Sequence, residues 1–144
     1  TGILLPEPIY EGFDLFTVPM HPSEWASILF NFYTNSKKAI KRNGKPGKLM
    51  IKCGREGKMV YLEFSDNGDG IPKQNELQIF DAFFTTSSAA GHNAIESEAL
   101  TGTGLGLKIV KDIVESYGGS ILVSNPPVGY NTSIRLLIPE NKSN

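Results

Sequence analysis

The order of helical and strand patterns along this sequence predicts an α+β fold, with helices packed on one face of a mixed or antiparallel sheet. Two segments repeat apolar residues at the spacing of an amphipathic helix, and four segments alternate apolar and polar residues as half-buried strands do. A length of 144 residues with 40% hydrophobic and 20% charged residues suits one globular domain.

The first helix is predicted to follow an extended segment, Ile3–Pro19. This segment contains three prolines, which sheets tolerate mainly in edge strands, so we predict one edge strand there. Ser23 is the predicted N-cap, with Glu24 in the first turn, and the turn formers of Asn43–Gly47 end the helix. The predicted apolar face of this helix comprises Trp25, Ile28, Leu29, Phe32, Ser36, Ala39 and Ile40.

Further along the chain, the sequence predicts a hairpin turn at Gly54–Gly57, a short helix around Lys73–Phe80, and a second long helix that Gly118 stops. The segment Thr85–Thr103 is rich in small and polar residues and is too long for an ordinary connection, so we predict a mobile lid there. The four predicted strands and the second helix are Lys48–Cys53, Met59–Ser65, Ile121–Ser124, Thr132–Ile138 and Leu105–Tyr117.

The charge balance argues against two classes of partner. Fourteen Lys and Arg against fifteen Asp and Glu give a net charge of -1, so we expect no nucleic-acid partner and no direct membrane contact. The single cysteine, Cys53, cannot form an internal disulfide, which favours a reducing compartment. Because the chain begins with Thr1 rather than Met, we expect a domain excised from a larger protein.

A row of polar side chains lies along the first predicted helix. Asn31, Asn35 and Lys38 are spaced four and three residues apart, so they form one stripe at the flank of the apolar face. An Asn carbonyl is a hard oxygen donor for Mg²⁺, and a Lys side chain is a point charge for phosphate. The stripe is therefore either a site for a metal-bound anion or an ordinary solvated helix face.

A glycine-rich turn follows the second predicted strand. In Asp66–Gly70, Gly68 and Gly70 allow a ligand to approach the backbone, and Asp66 can accept a hydrogen bond from an exocyclic amine. A tight turn without a ligand is the alternative. An EF-hand is excluded, because Gly68 occupies the third ligand position and Ile71 replaces the turn glycine.

A second glycine-rich segment, Gly102–Leu107, directly precedes the second predicted helix. Glycines at a helix start expose backbone N–H groups to an anion. A Rossmann site is not indicated, because Leu107 breaks its glycine pattern and no strand comes directly before. The isolated His21 and His92 with one cysteine make no zinc site.

Taken in order, these motifs resemble those of the ATP-binding catalytic domain of sensor histidine kinases, in the ATPase superfamily shared with gyrase and heat-shock chaperones. Asn31–Ala39 is similar to the N box of that family, Asp66–Gly70 to its G1 box, Ile79–Phe84 to its F box and Gly102–Leu107 to its G2 box. The likeness covers about residues 11–139. It implies a two-layer α/β sandwich, the Bergerat fold, as a single domain without the dimerisation and phosphoacceptor domain.

The resemblance also implies roles for individual residues. Asp66 would bind the adenine amine with support from Thr132, Asn35 would hold Mg²⁺, and Asn31 and Lys38 would attend the phosphates. The backbone amides of the G2 box would wrap the phosphates, and two phenylalanines would anchor the lid. The ATP-contacting positions implied in this way are Asn35, Lys38, Asp66, Gly68, Gly70, Ile71, Phe80, Phe84, Gly102, Thr103, Gly104, Leu105, Gly106, Leu107 and Thr132.

The sequence departs from its relatives at two places. Gyrase-like ATPases carry a water-activating Glu where this chain has Asn31, which has no titratable group and cannot be a general base. No Lys or Arg occurs between Lys73 and Lys108, whereas relatives often place a basic residue there, near the γ-phosphate. The first departure predicts poor hydrolysis and delivery of the phosphoryl group to another nucleophile.

The resemblance therefore implies a protein-histidine kinase. It would bind Mg²⁺–ATP and donate the γ-phosphoryl group to a histidine on its own upstream dimerisation domain, and through that domain to a response regulator in two-component signalling. Two alternatives stay open: a serine kinase of the same superfamily, and a nucleotide-sensing or protein-binding module that has lost transfer. We expect a cytoplasmic location, as a free protein or as the cytoplasmic part of a membrane-anchored sensor.

Overall fold

The computed structural model describes residues 2–81 and 106–141. Within these ranges, two helices cover one face of a six-stranded mixed sheet, which confirms the predicted α+β class. Two 3-10 turns replace the short helix predicted around Lys73–Phe80, and the predicted lid at Thr85–Thr103 lies outside the described residues. In chain order the elements are β1 (Ile3–Leu4), β2 (Ile9–Glu11), α1 (Pro22–Asn43), β3 (Gly47–Glu56), β4 (Met59–Asp66), the 3-10 turns (Lys73–Asn75 and Gln78–Phe80), α2 (Gly106–Ser116), β5 (Ser120–Val123) and β6 (Thr132–Pro139).

The N-terminus of α1 is capped by His21, so the prediction of Ser23 as N-cap is wrong. The Ser23 N–H donates to His21 Nδ1 at 3.1 Å, and the His21 N–H donates to the Glu24 carboxylate at 3.0 Å, which makes a capping box. Pro22 is preorganised for the first helical position, and this moves the helix start ahead of Ser23. The predicted end is confirmed, since Gly44 adopts a left-handed conformation with φ 73°.

The predicted apolar face of α1 is correct except at one position. Ile28, Phe32 and Ala39 are buried against the sheet and α2, whereas Leu29 is 40% exposed. The buried stripe is narrower than the predicted one, and Leu29 lies at its solvent edge. Trp25 packs against the core from the first turns of the helix.

The sheet has the strand order β1–β3–β4–β6–β5, with β2 also paired to β3. β1 and β2 run parallel to the two halves of β3, so the extended N-terminal segment supplies two short edge strands rather than one. All other pairs are antiparallel. In this register Asp66 faces Thr132 at one end of the sheet, and Met59 faces Pro139 at the other.

The β3–β4 turn lies at Gly57 and Lys58, because Glu56 already pairs with Met59. The predicted turn at Gly54–Gly57 is therefore wrong at its first residues. Gly54 belongs to β3 opposite Tyr61, and a Cβ there would lie 2.5 Å from the Tyr61 ring. That glycine serves side-chain packing, whereas Gly57, with φ 61°, serves the turn.

One hydrophobic core joins both helices to the inner face of the sheet. The rings of Phe32 from α1 and Phe64 from β4 stack with centroids 5.3 Å apart. The buried members of this core are Ile28, Phe32, Ile40, Leu49, Phe64, Ile79, Phe80, Leu107, Val110, Val114, Ile134, Leu136 and Ile138.

The outer face of the sheet carries a hydrogen-bonded polar cluster around Arg135. Arg135 lies 3.9 Å over the Tyr61 ring, and its guanidinium contacts Glu63 at 2.9 Å and Glu56 at 2.7 Å. The Tyr61 hydroxyl donates to Glu11 of β2. Neither of the two described helices is apolar enough along its length to cross a membrane.

A segment that we call the N-terminal strap, residues 11–18, crosses from β2 to the far end of β6. The Arg55 guanidinium donates to the carbonyls of Phe13 at 2.6 Å and Asp14 at 2.7 Å, and it pairs with Glu140 at 2.9 Å. The Val18 N–H donates to the Pro139 carbonyl at 2.9 Å. The strap is thus fixed to the sheet at the end opposite Asp66.

Candidate nucleotide-binding site

Asp66 ends β4 with its carboxylate turned beneath α1, where it is 2% exposed. The Ser36 hydroxyl of α1 donates to Asp66 Oδ2 at 2.8 Å, and the Gly68 N–H donates to Asp66 Oδ1 at 2.8 Å. A carboxylate has about four acceptor positions, so each oxygen keeps room for another donor. The arrangement can receive an amine from a ligand.

The ionisation of Asp66 is set by opposing effects. Burial raises the pKa of Asp66 above its ordinary value, and this is the largest influence. The hydrogen bonds from Gly68 and Ser36 lower that pKa, the Asp69 carboxylate raises it, and the Arg42 guanidinium lowers it. The protein therefore keeps an ionisable acceptor in an environment that opposes its charge, which is typical of functional sites.

Thr132 begins β6 directly opposite Asp66 and is 5% exposed. Its Oγ1 is buried and has no hydrogen-bond partner in the described part of the chain. A buried hydroxyl without a partner costs about 1–3 kcal/mol, so such an atom is ordinarily satisfied by a ligand or an ordered water. Together with the Asp66 carboxylate, it fits an adenine amine and a bridging water.

The loop after Asp66 is held firmly against α1 and β3. Asn67 accepts a hydrogen bond from the Lys48 N–H at 2.7 Å and donates to the Pro46 carbonyl at 2.9 Å. The Asp69 N–H donates to the Ala39 carbonyl at 3.2 Å. A Cβ on Gly68 would lie 2.5 Å from the Ala39 Cβ and 2.6 Å from its carbonyl carbon, so only glycine fits there.

The same loop is tied to the approach to β6. The Asn131 side chain donates to the Gly68 carbonyl at 2.9 Å, and the Asn131 N–H donates to the Asp66 carbonyl at 2.9 Å. Gly70 adopts φ 82°, which favours glycine, and Ile71 packs against the core. These contacts fix Asp66 and Thr132 side by side.

The three polar residues of the α1 stripe are all partly buried. The Asn31 amide donates to the Ser27 carbonyl at 2.7 Å, and its Oδ1 lies 2.8 Å from the position that a Cβ on Gly106 would take. Asn31 thus meets the first residue of α2. Glycine at position 106 lets the two helices approach at this point.

Some of the remaining predicted site residues lie within the described ranges and others lie outside them. Phe80 is 5% exposed and Leu107 is 8% exposed, and both are core residues. Phe84 and Gly102–Leu105 lie outside the described residues, so their roles stay predictions.

Four residues that contribute to the site geometry were not predicted from the sequence. The sequence pattern places Ser36 on the apolar face of α1 and gives no role to Asn67 or Asn131. It also gives no role to Arg42, which pairs with Asp69 at 2.7 Å. The available signal was a polar residue, Ser36, within an otherwise apolar stripe.

Comparison with known proteins identifies the family. The profile described as "Histidine kinase-, DNA gyrase B-, and HSP90-like ATPase" matches residues 20–142. This chain belongs to that family. Its ATP-binding character follows from membership of this ATPase family.

Several curated relatives are sensor kinases. The chain is similar to the circadian input-output histidine kinase CikA of Synechococcus elongatus, with 31% identity over 119 residues, which cover 83% of this chain and 14% of that protein. It is 32% identical over 120 residues to the sensor histidine kinase ZraS of Escherichia coli, covering 83% of this chain and 22% of ZraS. It is also 32% identical over 139 residues to the sensor protein KdpD of Escherichia coli, covering 96% of this chain and 14% of KdpD. The chain thus spans less than a quarter of the length of these relatives.

Solved structures of this family share the fold. The mycobacterial sensor histidine kinase MprB aligns with a TM-score of 0.72 and 26% identity, covering 98% of this chain and 86% of that one. The catalytic domain of the histidine kinase ThkA aligns with a TM-score of 0.67 and 26% identity, covering 96% of this chain and 78% of that one. The fold is that of a histidine kinase catalytic domain.

Proposed function

We propose that this chain binds Mg²⁺–ATP and donates the γ-phosphoryl group to a histidine on a separate dimerisation domain. One observation carries the proposal: in a member of this ATPase family, a buried carboxylate, Asp66, lies beside a buried hydroxyl, Thr132, that lacks a partner among the described residues. This pair supplies an acceptor for the adenine amine and a position for a bridging water.

We assign the phosphates to the polar stripe of α1 and the neighbouring start of α2. The stripe of Asn31, Asn35 and Lys38 runs along α1, and Asn31 lies against Gly106 at the start of α2. The positive end of α2 favours an anion there, and the glycine-rich sequence that precedes α2 is proposed to supply further backbone N–H groups. In this proposal Lys38 and Asn31 orient the phosphates, and the glycine-rich segment encloses them.

Asn35 is the proposed Mg²⁺ ligand. Its side-chain carbonyl is a hard oxygen donor, and Mg²⁺ in nucleotide sites is ordinarily held by few protein groups together with phosphates and waters. When bound, Mg²⁺ would neutralise negative charge on the phosphates during transfer of the γ-phosphoryl group.

Neither Asn31 nor Glu24, which lie on the same stripe of α1, is suited to act as a general base that activates water. Asn31 does not titrate, and Glu24 lies about 10 Å further along the helix at the usual rise per residue. Hydrogen bonds from the Tyr117 hydroxyl and the His21 N–H hold Glu24 and lower its pKa, whereas a general base requires a pKa near the working pH. The proposed nucleophile is therefore the unprotonated ring nitrogen of a histidine, whose new bond to phosphorus forms as the bond to the departing ADP breaks.

The acceptor histidine is proposed to belong to another domain of the same protein, which would pass the group to a response regulator. His21 is engaged in the cap of α1 through its Nδ1, and His92 lies outside the described residues. The matched relatives are several times longer than this chain, which agrees with a separate domain. A cytoplasmic location follows from this proposal, because it requires ATP and a response regulator.

The two alternatives receive less support. The named relatives are histidine kinases, which does not favour a serine kinase. A module that has lost transfer is not favoured either, because the family match and the named relatives are those of histidine kinases.

The test is incubation of the chain with γ-labelled ATP, alone and with the dimerisation domain of the full-length protein. Alone, it should bind ATP, release phosphate slowly and not label itself, since a missing general base ordinarily removes about 10²–10⁴ in rate. With the added domain, label should appear on that domain, and Asn35→Ala should abolish its transfer.

Rapid phosphate release by the chain alone, lost in Asn35→Ala, would identify an ATPase and contradict the kinase proposal. Binding without transfer, even with the dimerisation domain present, would favour the sensing module.

A further inference from the structure

Ser36 makes an unusual contact for a hydroxyl within a helix. Helical Ser, Thr and Asn side chains often bond back to the carbonyl four residues earlier, as Thr34 does to Phe30 at 2.8 Å and Asn31 does to Ser27 at 2.7 Å. Ser36, 3% exposed, instead donates to Asp66 Oδ2, thirty positions away along the chain. Its hydroxyl is directed at the candidate adenine site rather than at its own helix.

With this contact, both oxygens of the Asp66 carboxylate accept a hydrogen bond within the protein. The Gly68 N–H holds Oδ1 from within the loop, and the Ser36 hydroxyl holds Oδ2 from α1. The terminal torsion of an Asp side chain is soft, so one donor on a single oxygen leaves the carboxylate free to rotate. Two donors on two oxygens, supplied by two separate elements, fix the plane in which the remaining lone pairs lie.

We propose that Ser36 is a positioning residue for adenine recognition, which orients the Asp66 carboxylate toward the exocyclic amine of the base. The inference rests on the proposed function, because it requires that Asp66 accepts a hydrogen bond from that amine. Ser36 does not touch the nucleotide. It acts through Asp66.

The consequence is base discrimination. A site that holds a fixed acceptor rejects a ligand lacking the matching donor, because the buried acceptor then stays unpaired. A carboxylate that can rotate can satisfy itself elsewhere and discriminates less. Ser36 therefore affects the selectivity for a 6-aminopurine more than the general affinity for a nucleoside diphosphate.

The experiment compares two ligands on three proteins by titration calorimetry. The ligands are ADP and purine riboside 5′-diphosphate, which keeps the sugar and phosphates but lacks the exocyclic amine. The proteins are the wild type, Ser36→Ala, and the control Ser65→Ala. Ser65 directly precedes Asp66 in β4, is 2% exposed and donates to Ser133 at 3.0 Å on the other face of the sheet. Its variant therefore loses a buried hydroxyl that does not contact Asp66.

The wild type and Ser65→Ala should both prefer ADP over the purine diphosphate. In Ser36→Ala, ADP binding should weaken roughly ten-fold, as expected for a lost hydrogen bond to a charged group, while purine diphosphate binding changes less than about two-fold. The second ligand also reports that the variant is folded. Ser36→Cys, which has a weak donor of similar size, supports the same comparison if the alanine variant does not fold.

Each other outcome has a distinct meaning. Equal binding of both ligands by the wild type contradicts the proposed adenine contact of Asp66 itself. Selective wild-type binding combined with equal weakening of both ligands in Ser36→Ala assigns Ser36 a merely structural role and overturns this inference. Unchanged or tighter ADP binding by Ser36→Ala overturns it as well.

Discussion

Asp66 shows how one residue links stability to recognition. Because burial raises its pKa, the folded chain holds the Asp66 proton more tightly than the unfolded chain does. The stabilisation from this residue is fully present below its ordinary pKa of 3.8 and is lost as the pH rises through the higher folded-state value. At neutral pH, the ionised carboxylate therefore reduces the stability of the empty protein.

The variant Asp66→Asn should reveal this effect in thermal unfolding. An amide can still accept from the Gly68 N–H and donate to the Ser36 hydroxyl, but it does not titrate. Relative to the wild type, the melting temperature of Asp66→Asn should rise between about pH 3.5 and pH 8. About 2–4 °C corresponds to 1 kcal/mol in a domain of this size.

The matched control is Asp112→Asn, an exposed carboxylate of α2 paired with Lys108. Removing this exposed ion pair should change the free energy of unfolding by less than about 1 kcal/mol. The opposite trend, in which the wild type becomes more stable relative to Asp66→Asn as the pH rises, would mean that folding lowers the pKa of Asp66.

The sequence predicts candidate site residues that stand in short motifs, but not the residues that support them. Asp66 is predicted from its position at a strand end and Thr132 from the family resemblance; the structure pairs the two across β4 and β6, and their roles in binding stay predictions. Ser36 could not be predicted, because periodicity places it on the buried face without stating that its neighbour there is a carboxylate. Asn131 donates hydrogen bonds to the Gly68 and Asp66 carbonyls, in the loop that follows β4. These contacts depend on the register of β4 with β6, which the sequence does not show.

Among the elements, the loop that follows β4 depends on the absence of a side chain at Gly68. A methyl group there would meet the Ala39 backbone, which belongs to α1 and cannot move independently. Gly68→Ala should lower the free energy of unfolding by about 1–3 kcal/mol, as overpacking ordinarily does, and should weaken ADP binding by displacing Asp66. Urea unfolding and calorimetry measure the two effects.

The control for this change is Gly2→Ala, where a Cβ meets nothing within 4 Å and which should be neutral. If Gly68→Ala keeps the stability and the ADP affinity of the wild type, the loop does not need the close approach of Gly68 to Ala39.

The N-terminal strap is a second element with few anchors. Arg55→Ala removes two hydrogen bonds to strap carbonyls and the ion pair with Glu140, all of them at the surface. The Val18 amide should exchange with solvent roughly five- to ten-fold faster, whereas global stability should change by less than about 1 kcal/mol. Hydrogen exchange resolved by residue measures this.

Lys58→Ala, an exposed lysine in the neighbouring turn, is the control and should leave that amide unchanged. If protection is lost equally in β4 and the strap, the strap is not a separate unit and the prediction fails.

At the scale of elements, apolar periodicity predicted both helices and the four long strands within a few residues. The differences have local causes. The N-cap of α1 is His21 rather than the predicted Ser23, because an imidazole nitrogen can accept a hydrogen bond as a hydroxyl does. The prediction of Gly54 as a turn residue is wrong because the sequence does not show that the Tyr61 ring occupies the space beside this glycine.

For the molecule as a whole, a single core joins the sheet to both described helices, and this should make unfolding cooperative. Trp25, the one tryptophan of the chain, packs on that core from α1 and reports on its packing. Urea transitions followed by Trp25 fluorescence and by far-ultraviolet circular dichroism should coincide, with a slope of about 1–3 kcal/mol/M. Separated midpoints would mean that α1 leaves the sheet before the sheet unfolds.

The N-terminal strap meets the end of β6 on its way to α1. The backbone around Phe16–Val18 lies beside Pro139–Asn141, so the segment that precedes α1 and the segment that follows β6 are joined at one place. That place is at the Met59 end of β4, about 23 Å from Asp66 at roughly 3.3 Å per strand residue. The length of β4 therefore separates this junction from the Asp66 carboxylate. Changes to the surface around the junction should leave the geometry at the opposite end of the sheet intact.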